Sequence, residues 1–133
     1  STMSGELNLS TLLASMSPEL IPDEYVFVTT KINDENKVSF PYLMEFHEKE
    51  GATFIVKKTI AEQSNFEFSY PCRLITLNIY SSLEAVGFLA EITRALASEK
   101  ISVNAVSAFY HDHIFVPTEK AERALEILQS FSK

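Results

Sequence analysis

Glycine is scarce: the chain has three in 133 residues. They form neither a GxGxxG turn nor a Walker loop, so the usual glycine-rich phosphate cradles are excluded. Cys72 is the only cysteine, which rules out an intrachain disulfide and a multi-cysteine metal site within one chain. It follows Pro71 with no histidine patterned beside it, and no Gly-x-Ser-x-Gly elbow occurs, so nucleophilic catalysis has little basis. Basic clusters are missing too. No group is denser than Lys57-Lys58 in a chain of net charge -7, and nucleic-acid binding needs a basic face to displace counterions. Apolar runs are only a few residues long, far short of the roughly 20 that cross a bilayer. The opening residues show no basic-then-apolar leader. A soluble, cytoplasmic protein with no membrane partner is therefore expected. Ser1 and Thr2, ahead of Met3, are read as an artificial remnant and set aside.

What remains is 46% hydrophobic, enough for one compact core or two small, intimately packed subdomains. The acidity is uneven: residues 1–71 carry 5 Lys/Arg against 11 Asp/Glu, whereas residues 72–133 carry 6 against 7. Solubility accounts for most of this. In Arg73–Tyr80, Ile75, Leu77 and Ile79 alternate with polar neighbours, the pattern of a half-buried strand. Beyond Ser81–Gly87, the spacing of Phe88, Leu89, Ile92, Ala95 and Leu96 predicts an amphipathic helix ending near Glu99. Ile101–Tyr110 reads as a strand, and a hairpin through His111-Asp112 leads to a buried strand at Ile114–Val116 stopped by Pro117. Thr118 is placed as an N-cap, with Glu119 and Glu122 favourable to the dipole of a last helix through Ala121, Ala124, Leu125, Leu128 and Phe131.

The first half gives a fainter version of the same opening. Leu9, Leu12, Leu13 and Met16 suggest a short helix starting near Ser10 or Thr11. Then come a strand at Tyr25–Thr30, a helix at Pro41–Glu50 and, after Gly51, a strand at Thr53–Lys57. Ile60–Ser64 reads as a helical turn and Phe66–Tyr70 as a short strand. The elements starting at 25, 41 and 53 match those at 73, 88 and 102 with offsets of 48, 47 and 49 residues, suggesting an internal duplication. A strand-helix-strand-strand-helix unit leaves a gap in its sheet that something must fill. A strand from the first half lying in the second half's sheet is the economical solution, and dimerisation through the edge is the other.

The segment Val86–Pro117, VGFLAEITRALASEKISVNAVSAFYHDHIFVP, resembles the core of an ACT domain of the kind found as regulatory domains on aspartokinases. GFLAEI, then ISVN fourteen residues after Gly87, then the buried IFV strand carry the likeness. The chain is similar to a stand-alone tandem-ACT family, and more distantly to the ACT pair of cytosolic arginine sensors. The resemblance implies an α+β fold of ferredoxin-like βαββαβ units, two of them interleaved around antiparallel sheets with helices on one face. It also implies a degenerate N-terminal ACT-like unit over 3–71 and a C-terminal ACT domain over 72–133, whose sheet either of the two solutions above would complete. Amino-acid binding at the interface of paired domains would follow, with homodimerisation and a regulated protein as partners and no cofactor.

Carried over residue by residue, the ligand site comprises Ser82, Glu84, Ala85, Val86, Gly87, Phe88 and Leu89 in the loop and helix start. Ser102, Val103 and Asn104 at the next strand complete it. Helix-start amides attract a carboxylate, and a loop glycine permits close approach. Asn104 departs from the acidic residue of lysine-binding relatives, so lysine specificity does not transfer.

Bland readings stand beside these. Gly87 serves the turn as readily as a ligand. Ser81 and Glu84 have capping-box spacing, and Ser102 and Asn104 fit a solvent-facing alternation. His111-Asp112-His113 is the one dense group of coordinating side chains, but no further ligand stands nearby at metal spacing, so a structural role is favoured. His47, among Glu45, Glu48 and Glu50, reads as a surface residue. A non-catalytic regulatory module binding a small metabolite is expected. A protein-interaction module without ligand is the alternative, and a metal-dependent enzyme at His111/His113 comes third.

Overall fold

The computed structural model describes residues 8–31 and 39–132. Residues 3–7 and 32–38 of the unit expected over 3–71, and Lys133, lie outside the described residues. The elements are α1 (Leu9–Ser15), β1 (Ser17–Lys31), β2 (Met44–His47), β3 (Gly51–Lys57), α2 (Lys58–Gln63), β4 (Ser69–Asn78), α3 (Phe88–Ala97), β5 (Asn104–Ser107), β6 (Asp112–Pro117) and α4 (Ala121–Gln129). The strands are hydrogen-bonded in the order β2-β3-β1-β4-β6-β5. The chain forms two compact units, one of residues up to Pro22 together with those from Arg73 onward, the other Asp23–Cys72. It passes between them inside β1 and again inside β4, so the units are interleaved in sequence.

In the larger unit, the opening of β1 stands beside β4, followed by β6 and β5. The strand that fills the gap in β4-α3-β5-β6-α4 therefore comes from the first half of the chain. The Arg73 guanidinium fastens it, donating from Nε and Nη2 to the Ile21 carbonyl at 2.9 and 2.8 Å. One apolar core joins Leu12 and Met16 with Ile75 and Leu77, then with Phe88, Ile92 and Leu96 of α3 and Ala124 and Leu128 of α4. These are the odd positions of the strand and the 3.6-residue stripes of the two helices, each burying its apolar side in one place.

The smaller unit pairs β2 with β3 and β3 with the second part of β1, all antiparallel. Its core is Val26, Val28, Phe54, Val56 and Ala61, with Phe40 and Phe66 packed against it. A Cβ on Gly51 would stand 2.2 Å from the Thr30 carbonyl oxygen. Only glycine fits where β3 begins against the end of β1.

Several expectations need correction. The helix read over Pro41–Glu50 is a strand: Met44, Glu45, Phe46 and His47 pair with Ile55, Phe54, Thr53 and Ala52, and Glu48 and Gly51 close a tight hairpin through reciprocal backbone bonds. Tyr42 and Phe46 four apart satisfy a strand's period as well as a helix's, so periodicity alone could not separate them. The regular 47–49-residue offset loses its middle element with that helix. The strand read over Ile101–Tyr110 shrinks to β5, because Ile101 is still closing the end of α3 through its bond to the Leu96 carbonyl. Thr118 opens a 3-10 turn, Thr118–Lys120, and α4 begins three residues later than its proposed cap.

Candidate functional site

The loop between β4 and α3 is held by its own backbone. Ser82 Oγ accepts from the Glu84 amide at 3.0 Å, and the Ala85 amide donates to the Ser82 carbonyl at 3.0 Å. The capping role read for Ser81 with Glu84 is thus replaced by a Ser82 turn, and α3 starts only at Phe88. Its N-cap is Gly87 at φ +92°, a left-handed conformation in which a side chain is strained. Space is not the reason, since an added Cβ would meet Leu9 Cδ2 at an ordinary 3.4 Å. Gly87 has no side chain with which to cap this helix. Glu91 is the first residue whose amide finds an intrahelical acceptor, the Gly87 carbonyl at 3.0 Å, so the amides ahead of it point out of the helix end.

A cavity of about 160 Å³ opens at this point. Ser81, Ser82, Leu83 and Ala85 form the loop wall, and Gly87 through Ala90 form the helix-start wall. Ser107, Ala108 and Asp112 supply the third, from the hairpin that joins β5 to β6. Ser107 and Asp112 are cross-strand partners, and the Ala108 amide closes the turn onto the His111 carbonyl at 3.0 Å. Of the residues carried over from the resemblance, Ser82, Ala85, Gly87, Phe88 and Leu89 come together here. Glu84 and Val86 belong to the same loop without lining the cavity, and Val86 is 84% exposed. Ser102, Val103 and Asn104 are not brought to it. Val103 packs against the core, and Asn104 begins β5 opposite Phe115, roughly 10 Å along the strand from Ser107.

Asp112 and Ser107 were legible only through the hairpin. His111-Asp112 was read as its turn, but placing the turn at Ala108–His111 is what pairs residue 107 with 112. The tip carries aromatic side chains: Tyr80 packs with Phe109 and Tyr110, ring centroids 6.2 and 6.0 Å apart. Phe109, Tyr110 and, on the loop, Leu83 and Val86 are all exposed.

The histidines serve the framework. His111 Nδ1 donates to the Ile79 carbonyl at 3.3 Å, and His113 Nδ1 shares a 3.1 Å hydrogen bond with Thr76 Oγ1. Burial, with His111 adding, pushes the His113 pKa down against the opposing pull of Asp112. Among the described residues no three His, Cys, Asp or Glu side chains converge as a metal would require. Cys72 is buried, its thiol donating to the Tyr25 carbonyl at 3.3 Å. Burial, with the Glu24 charge adding, pushes its pKa up to about 12. At neutral pH it is a thiol, not a nucleophile. No helix among the described residues is long and apolar enough to cross a membrane.

Two family models, each describing an ACT domain, match residues 4–73 and 69–130. The chain belongs to the ACT-domain family. No curated protein matches it. Among solved structures, a Vibrio cholerae protein of unknown function, described as a possible transport protein, is 42% identical. The alignment covers 94% of this ACT chain and 96% of that one, with a TM-score of 0.85. An Agrobacterium tumefaciens protein is 12% identical over 88% of this chain and 89% of its own, with a TM-score of 0.73. The regulatory subunit of aspartate kinase from Thermus flavus is 14% identical over 89% of this chain and 97% of its own, with a TM-score of 0.65. The last two likenesses are of fold: mixed α and β, antiparallel, ferredoxin-like.

Proposed function

We propose that this tandem-ACT chain is a non-catalytic, cytoplasmic regulatory or sensory module that binds an amino acid or similar small metabolite. The observation that carries this reading is the cavity at the start of α3, where uncapped amides follow a left-handed Gly87. A helix N-terminus with free N–H groups favours a carboxylate by hydrogen bonding and by the helix dipole together. The cavity is smaller than the roughly 300–1,000 Å³ of sites for drug-sized ligands, which fits a single small metabolite. Ser102, Val103 and Asn104 lie at or just before β5, an outer strand of the sheet order. They are proposed to serve a second ACT unit paired there, so that ligand binding and pairing are coupled. Exposed Leu83, Val86, Phe109 and Tyr110 supply apolar surface for such a partner.

The test is a thermal-shift screen against the twenty amino acids. A ligand at 100 times its Kd stabilises by about 2.7 kcal/mol, a rise in Tm on the order of 10 °C. A selective rise is expected. Silence across the panel contradicts the reading and favours a protein-interaction module without ligand.

A further inference from the structure

Among the described residues, Asp112 is the one ionisable side chain on the wall of the α3 cavity. It stands across the hairpin from Ser107, which also lines the wall. Apart from its pull on the neighbouring His113, its carboxylate enters no ion pair or hydrogen bond among the described residues. Among the described residues no lysine or arginine lines the cavity. An acidic group on a cavity wall with no lysine or arginine beside it repels an anion and draws a cation, whereas the helix-start amides of the same cavity do the reverse. Leu83, Ala85, Phe88 and Leu89 give the lining an apolar part.

From this we infer that Asp112 receives the ammonium group of the ligand. The cavity then selects a free α-amino acid with an uncharged side chain over the matching 2-oxo or N-acylated acid. The inference rests on the reading of this cavity as a ligand site and adds to it the residue that recognises the amine. That residue lies on the β5–β6 hairpin and is not one of the site residues carried over from the resemblance. A 2-oxo acid of the same skeleton offers the amides the same carboxylate but leaves Asp112 facing a neutral carbonyl, with nothing to offset its desolvation.

Titration calorimetry on the full chain and on Asp112→Asn tests it, with L-leucine, 4-methyl-2-oxopentanoate and N-acetyl-L-leucine as probes. L-leucine is expected to bind the unaltered chain while the other two do not. Asp112→Asn is expected to weaken leucine by about ten- to a hundredfold, the usual loss for a charge-assisted hydrogen bond. Equal binding of leucine and the 2-oxo acid, or leucine binding unchanged in Asp112→Asn, overturns the role of Asp112 and leaves an amino-acid site standing. Binding of none of the three overturns the ligand class inferred here, and the twenty-amino-acid screen then reports separately on the broader reading. Because the blocked probes are compared on the unaltered chain, a variant that fails to fold does not obscure the answer.

Discussion

The two units reach stability by different means. The one containing residues from Arg73 onward wraps two amphipathic helices and α1 over a core of aliphatic side chains. Asp23–Cys72 has, among its described residues, a single six-residue helix and leans on aromatic contacts. Phe40 meets Phe54 and Phe66 with ring centroids 5.3 and 4.8 Å apart, and Tyr42 meets Phe54 at 5.2 Å. One unit has the helix whose N-terminus forms the cavity, while the described part of the other has strands and one short helix. The ligand site proposed above belongs to the first.

Core truncation is the strongest way to probe that contrast. Leu96 is fully buried in α3, and Leu96→Ala is expected to cost about 2–5 kcal/mol in urea unfolding. Phe54→Ala, in the aromatic core of the smaller unit, is expected to cost a comparable 3–5 kcal/mol. A much smaller loss at Phe54 would show that the aromatic cluster contributes little.

Gly87→Ala sharpens the contrast at the site. The side chain must adopt φ +92° at a cost of about 1–2 kcal/mol. Relaxation of that strain would move the first turn of α3, so a fall in Tm together with weaker amino-acid binding is expected. Unchanged binding in a destabilised variant would separate the turn from the site.

The smallest effect is one of pH. The His113 pKa is held below its ordinary 6.5 by burial first, so the native state prefers the neutral ring. The unfolded chain binds the extra proton as pH falls below 6.5. The contribution of His113 is therefore fully present above that pH and is lost as pH falls through the folded value. Tm measured from pH 7.5 to 5 should decline more steeply for the unaltered chain than for His113→Gln; identical slopes would remove His113 as a cause.

Most of the larger unit was legible in its sequence, because Phe88, Ile92 and Leu96 on one helix, and Ile75 and Leu77 on one strand, each follow a single period. The smaller unit was harder. Tyr42 and Phe46 fit both periods, and what decides for a strand is pairing with β3 and a glycine whose side chain would collide with Thr30, neither of which is local information. The loop and helix start of the candidate site could be read from GFLAEI. Asp112 could not be placed there, because its position depends on where the β5–β6 hairpin turns.

The central claim is that the start of α3 takes the carboxylate of an amino acid. Amide chemical-shift mapping by NMR, with the stabilising amino acid titrated into labelled protein, tests it most directly. The account predicts saturable shifts at Phe88, Leu89 and Ala90 and at the hairpin residues Ser107 and Asp112. Saturable shifts confined to Asp23–Cys72, with the α3 amides unmoved, would contradict it.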